Sequence, residues 1–129
     1  MQEIIIFVIF LILPFLYYRG LFYIATGVFN KSFLRTKTGL QIHHLHYGIV
    51  FIFIASLLIL FWGAGLYAIA LLGLGLGCMF DEFAASLLMP GNRPLELQVY
   101  RQSLFTTAIL LSVVLLILIL LVSLPATFL

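Results

Sequence analysis

Four long apolar runs along the chain are separated by short stretches that are richer in polar residues. Each run is close to the roughly 20 residues that an α-helix needs to cross about 30 Å of hydrocarbon. The pattern therefore predicts an all-α integral membrane protein, with four transmembrane helices in a single transmembrane domain over residues 1–129. The predicted helices are Ile4–Tyr18 (or Ile4–Ile24 if the run beyond Arg19 is included), His46–Trp62, Leu66–Met89 and Leu104–Leu124.

The connections between the runs predict how the helices are paired. Only three residues, Gly63 to Gly65, separate the second and third runs, so these two helices are expected to form a tight antiparallel hairpin. Gly73 and Gly77 are expected to form the small-residue face on which the hairpin packs. Residues 20–30, with their aromatic side chains, predict an interfacial segment after the first helix.

The two connections at the other end of the hairpin show period-two patterns. Leu40 and Ile42 lie in one connection, and alternating apolar residues over Leu95–Val99 lie in the other. This pattern predicts either a small cytoplasmic β-ribbon or, equally, a short interfacial helix over Leu95–Arg101.

Composition supports a membrane environment. Of 129 residues, 65% are hydrophobic and only 8% are charged, whereas soluble domains are about half apolar and a quarter charged. The net charge of +2 gives no sign of a nucleic-acid partner. The expected partners are the lipid bilayer and, for so small a protein, further copies of the chain in a homo-oligomer or a larger membrane complex.

The basic residues predict the orientation in the membrane. All six fall in the first and third connections, which share one face of a four-helix arrangement. The positive-inside rule places that face in the cytoplasm and both termini outside, as expected for a multi-pass protein of the inner or plasma membrane. The six residues are Arg19, Lys31, Arg35, Lys37, Arg93 and Arg101.

Every histidine of the chain lies within four consecutive positions at the start of the second predicted helix. These residues are His43, His44 and His46. Histidine is the commonest metal ligand, and its charge changes near neutral pH, so the three residues indicate metal binding or proton handling. The ordinary alternative is that they are amphipathic side chains at the level of the lipid headgroups.

Two adjacent carboxylates, Asp81 and Glu82, lie near the far end of the third predicted helix. An ionisable residue at the membrane centre costs about 2.5–3.5 kcal/mol on insertion scales, so a compensating partner is expected. Counted from a turn centred between Gly63 and Ala64, His46 lies as many residues before the turn as Asp81 lies after it. We therefore expect the histidines to contact the carboxylates at the cytoplasmic interface. The ordinary alternative is that the carboxylates end the helix and pair with an arginine of the next connection.

Imidazoles combined with carboxylates suit zinc or non-haem iron, which accept nitrogen and oxygen ligands and can keep a position open for water. We predict a divalent transition metal with His43, His44, His46, Asp81 and Glu82 as candidate ligands. Glu82 is also the candidate general base, because a carboxylate can take a proton from a metal-bound water. The predicted function is metal-dependent hydrolysis, or a related reaction, of a lipid-like or membrane-borne substrate.

Two other classes of function use the same features. An oligomeric transporter or channel would use the histidines and carboxylates as a proton or metal-ion relay, although the other helices carry few polar residues at mid-membrane. An accessory subunit would use the glycine-rich face to assemble with a larger membrane complex.

Overall fold

The computed structural model of the chain describes residues 1–25, 43–88 and 93–123. This described part is all-helical and contains no β-strand. In chain order its helices are α1 (Gln2–Ile24), α2 (His44–Trp62), α3 (Leu66–Ser86), α4 (Arg93–Gln102) and α5 (Leu104–Ser123).

Four of these helices, α1, α2, α3 and α5, are long and apolar enough to cross a membrane. They contain 19–23 residues, which at about 1.5 Å per residue corresponds to the thickness of a bilayer's hydrocarbon core. Pro14 lies inside α1 without ending it, so α1 has the longer of its two predicted extents. Residues 20–24, predicted to begin an interfacial segment, are the last turn of α1, and residues 26–30 lie outside the described part.

Of the two alternatives predicted for the connection after α3, the short helix over Leu95–Arg101 is the correct one and the β-ribbon is wrong, because these residues lie in α4. The buried side of α4 is formed by Glu96 and Tyr100, four residues apart, whereas Leu95 is 46% exposed. Burial in this segment therefore follows the helical period and not the period of two. The partner strand that included Leu40 and Ile42 lies outside the described residues.

Helix α4 lies across one end of the other helices. Tyr100 of α4 is buried against Phe22 of α1 and Ala85 of α3, with Leu97 and Val99 packed around them. Because Phe22 and Ala85 each lie near the end of their helix, α4 covers the end of the bundle at which α1 and α3 finish.

Helix α3 lies at the centre and touches each of the other four described helices. Its glycines let the neighbouring backbones come into direct contact. A Cβ built on Gly48 of α2 would lie 2.6 Å from the carbonyl oxygen of Gly75, and one built on Gly73 would lie 2.6 Å from that of Phe7. Gly73 and Gly77 therefore face α1, not α2 as expected, and it is Gly75 that faces α2. Residues 73 and 75 are about 200° apart around a helix, so they meet different neighbours.

Candidate functional site

Two of the three histidines lie against the two carboxylates. His43 is the residue that precedes α2 and His44 is its first residue, while Asp81 and Glu82 lie about one turn before the end of α3. Nδ1 of His43 lies 2.6 Å from Oε1 of Glu82, and Nε2 of His44 lies 2.8 Å from Oδ2 of Asp81. Asp81 and Glu82 are only 0% and 2% exposed, so these contacts occur away from solvent.

His46 does not join this group. Its side chain is exposed, and its Nδ1 accepts a hydrogen bond of 3.2 Å from the backbone N–H of His43, which helps to cap the first turn of α2. Counting residues from the turn at Gly63 predicted the depth of His46 in the bundle, but not the side of α2 on which its side chain lies. Because His46 is two residues beyond His44, it lies about 200° around α2 and faces away from α3.

Asp81 is held by a residue that the sequence interpretation treated as the end of the first helix. Nε of Arg19 donates to Oδ1 of Asp81 at 2.7 Å, and Nη2 donates to the backbone carbonyl of the same residue at 2.9 Å. Nη2 also donates to the hydroxyls of Ser103 and Thr107 at 3.2 and 3.1 Å. One guanidinium therefore joins α1, α3 and the start of α5.

A sequence signal for Arg19 does exist. Among the described residues of α1, Arg19 is the only basic one, and apolar and aromatic side chains continue after it to Ile24. If the longer extent of this helix is chosen, Arg19 is an ionisable residue inside a predicted membrane span, and such residues are functional candidates.

Tyr100 of α4 completes the surroundings of Asp81. Its hydroxyl donates to Oδ2 of Asp81 at 2.5 Å, its backbone carbonyl accepts from Nη1 of Arg19, and its ring lies 3.8 Å from the guanidinium carbon. Burial and the adjacent charge of Asp81 raise the pKa of Tyr100 well above its usual range, although Arg19 opposes this. Tyr100 therefore acts as a hydrogen-bond donor to the carboxylate. Tyr100 is buried, and it was not among the site residues predicted from the sequence.

Glu82 faces the N-terminus of α2. Its Oε2 accepts the backbone N–H of Leu45 at 3.0 Å and lies 3.3 Å from Nδ1 of His44, while Oε1 faces His43. Backbone N–H groups in the first turn of a helix lack partners within the helix and carry a partial positive charge. The carboxylate of Glu82 is therefore surrounded by groups that favour negative charge.

His44 lies between the two carboxylates. One face of its ring stacks on Tyr18, with the ring centres 4.1 Å apart, and Tyr100 meets it edge to face. Nε2 is close to Oδ2 of Asp81 but is not aligned for a hydrogen bond with it. We call the whole set the polar cluster: Arg19, His43, His44, Asp81, Glu82, Tyr100, Ser103 and Thr107.

The described residues do not present a ready metal site: none of their His, Cys, Asp and Glu side chains form a group of three or more arranged to hold an ion. Two ligands about 2.0 Å from a tetrahedral zinc lie about 3.3 Å apart, whereas His43 and Glu82 are 2.6 Å apart and form a hydrogen-bonded pair. Asp81 is occupied by Arg19 and Tyr100, and His46 faces away. The donor set predicted for a metal is therefore not assembled here, and metal binding remains a prediction.

Comparison with known proteins does not assign a function to the polar cluster. The chain matches no protein-family model, no curated protein and no solved structure. Any assignment of function to this all-helical chain, with its four helices able to span a membrane, therefore depends on its own residues.

Proposed function

We propose that the chain is a multi-pass membrane protein in which α2 and α3 cross the bilayer as a tight antiparallel hairpin. Large apolar side chains on the outside of the helices support insertion, for example Phe53 and Leu60 of α2 and Ile119 of α5, all more than 60% exposed. Apolar surface of this extent is not stable in water. The positions of the basic residues support a cytoplasmic polar cluster with both termini outside.

We further propose that the polar cluster is an acid–base centre acting on a membrane-borne substrate at the level of the lipid headgroups. The observation that carries this proposal is the His43–Glu82 pair, in which a buried carboxylate contacts the Nδ1 of an imidazole at 2.6 Å. The His43 side chain is 16% exposed and the Glu82 side chain 3%, so the pair joins the protein interior to its surface. Charged side chains are costly in so apolar a chain, which favours a functional role.

The roles within the pair follow from the contacts. Both oxygens of Glu82 have partners, so Glu82 fixes the ring of His43 with its Nδ1 proton directed at the carboxylate. A neutral imidazole held in this way accepts a proton from an attacking water or hydroxyl and then returns it to the leaving group. Glu82 stabilises the imidazolium that forms in between. This assigns proton transfer to His43 and orientation to Glu82; direct proton transfer by Glu82 is the alternative predicted from the sequence.

The test uses the purified full chain in vesicles of phosphatidylethanolamine and phosphatidylglycerol, with lipid products followed by mass spectrometry. We expect the wild-type protein to produce ester or phosphoester cleavage products. His43→Gln and Glu82→Gln should each lower the rate about 100-fold or more, as is usual when a general base is lost. The matched control is His46→Gln, since the glutamine carbonyl can still accept the His43 backbone N–H, and its rate should equal that of the wild type.

Two results would contradict the proposal: no product from the wild-type protein, or equal rates for His43→Gln and His46→Gln. The same preparation separates the other hypotheses. Stoichiometric zinc or iron by elemental analysis, lost in His44→Gln, would support the metalloprotein. Proton or metal flux across the vesicles would support the transporter, and a larger native complex would support the accessory subunit.

A further inference from the structure

A groove of about 480 Å³ opens between α1, α3 and α5 at the end of the bundle opposite to the polar cluster. This volume lies within the roughly 300–1,000 Å³ of typical ligand sites. Its walls are apolar side chains from all three helices, among them Phe7, Ile69 and Leu118, and the lining also includes the charged residue Glu3. The groove therefore combines an apolar slot with a carboxylate.

The groove lies where α5 is least buried. The buried residues of α5 are Thr107 and Leu111, both in its first half, and Thr107 binds Arg19 of the polar cluster. From Ser112 to Ser123 every side chain of α5 is partly or fully exposed. Helix α5 is therefore held closely at the polar end, and the space beside its second half is open toward the bilayer.

The size and lining of the groove favour a lipid acyl chain as its occupant. An apolar slot offers water no hydrogen-bond partners, and leaving it empty would forfeit dispersion contacts along its walls. A further helix is about 10 Å across, so even ten of its residues occupy roughly 1,200 Å³ and do not fit inside. An acyl chain is narrow, flexible and already present in the surrounding bilayer.

Glu3 gives the groove a charge preference at its outer end. It is exposed near the start of α1, and within the described ranges of the chain it forms no ion pair. Arg19 lies about 24 Å further along α1, and Arg93 and Arg101 belong to α4, which covers that other end. A lipid headgroup that carries an ammonium complements the carboxylate, whereas an anionic headgroup is repelled by it.

We propose that this groove binds one phospholipid with a primary ammonium headgroup, phosphatidylethanolamine. Its acyl chain lies against Phe7, Ile69 and Leu118, and its ammonium donates to the carboxylate of Glu3. The bound lipid fills the space between α5 and the other two helices. The inference rests on the proposed insertion in the bilayer but not on the acid–base centre, which lies at the opposite end.

The experiment is native mass spectrometry of the full chain, released from micelles that contain equal amounts of phosphatidylethanolamine and phosphatidylglycerol. We expect the wild type to retain one phosphatidylethanolamine, about fivefold more often than phosphatidylglycerol, as for a single favourable charge contact. The net charge of +2 favours the anionic lipid in non-specific binding, so this preference runs against the charge of the whole chain.

Two pairs of variants test the headgroup contact and the slot separately. Glu3→Gln keeps the shape but removes the charge, so the fivefold preference should disappear, whereas Glu3→Asp should retain it. Leu118→Trp fills the groove and should lower retention of both lipids about tenfold. The matched control is Ile117→Trp, because Ile117 is 50% exposed on α5 and does not line the groove, so its retention should equal that of the wild type.

Several results would overturn the lipid site. They are no retained phosphatidylethanolamine in the wild type, an unchanged preference in Glu3→Gln, or equal losses in Leu118→Trp and Ile117→Trp. A dimer that disappears in Leu118→Trp would assign the groove to a second copy of the chain instead. If Leu118→Trp does not fold, Glu3→Gln still decides, because Glu3 is exposed and its substitution leaves the packing unchanged.

The same spectra separate this inference from the proposed function. Intact phosphatidylethanolamine retained by a protein that yields no cleavage products would support the lipid site and contradict the acid–base centre alone. Cleavage products from a protein that retains no intact lipid would do the reverse. A chain that does not float with vesicles would contradict membrane insertion, and the lipid site with it.

Discussion

The two halves of α3 hold their neighbours in opposite ways. In the glycine-rich half, Gly73, Gly75 and Gly77 let the backbones of α1 and α2 come into direct contact with the backbone of α3. In the second half, Asp81 and Glu82 contact the same two helices through buried, charged side chains. The same three helices are thus joined once by close packing and once by electrostatics.

This difference separates architecture from chemistry. Within lipid there is little hydrophobic driving force between helices, so close contact at small residues is a sufficient way to associate them. Buried charges add no comparable advantage, because well-packed apolar residues are often at least as stabilising as a buried ion pair. The polar end of α3 is therefore where function is expected, and the glycine half is its support.

The largest effect on stability should come from breaking the ion pair between Arg19 and Asp81. Arg19→Met leaves the buried carboxylate of Asp81 without its guanidinium partner, and we expect a loss of about 3–5 kcal/mol in the free energy of unfolding. The measurement is reversible unfolding in mixed detergent micelles. Arg101→Met is the matched control, because Arg101 is exposed in α4 and its loss should change stability by less than about 0.5 kcal/mol. Similar losses in both variants would refute the distinction.

The glycine half should be less sensitive to single changes. The Cβ of Gly77→Ala would overlap the backbone carbonyl of Leu11 and the ring of Pro14, so α1 and α3 must move apart. We expect a loss of about 2 kcal/mol, as for other overpacked sites. Gly20→Ala is the control within α1, since nothing lies within 4 Å of its added Cβ. It should be neutral or stabilising by up to about 1 kcal/mol, because alanine favours the helix.

The elements that the sequence predicted well are those that depend on distances along the chain. Run lengths predict four helices able to span a membrane, and the short connection at Gly63 predicts that the start of α2 lies near the end of α3. Residue counts from that connection were therefore enough to match His43 and His44 to Asp81 and Glu82. The same count wrongly placed His46 at the carboxylates. It predicts how deep a residue lies in the bundle, but not the side of the helix on which its side chain lies.

The parts that the sequence missed depend on how separate helices meet. Arg19, Tyr100 and Thr107 come from α1, α4 and α5, and none of these helices is joined to α3 by a three-residue turn like the one between α2 and α3. Counting residues along the chain therefore gives no register between them. The sequence analysis used Arg19 only as a charge that sets orientation, and it gave Tyr100 and Thr107 no role. Their shared contact with Asp81 is a property of the packed bundle.

The smallest predicted effect concerns pH at the polar end. The folded state keeps the Tyr100 hydroxyl protonated because its pKa is raised, whereas in the unfolded chain the group ionises at about pH 10. Above that pH the unfolded state binds fewer protons, so the contribution of Tyr100 to stability is constant below about pH 10 and falls above it. The free energy of unfolding of the wild type, relative to that of Tyr100→Phe, should therefore fall by about 1.4 kcal/mol between pH 9 and pH 11.

Comparing two proteins that differ only at this hydroxyl cancels the titration of the other tyrosines. An unchanged difference across this range would mean that Tyr100 ionises as easily in the bundle as in the unfolded chain, and its proton would then not be held by Asp81.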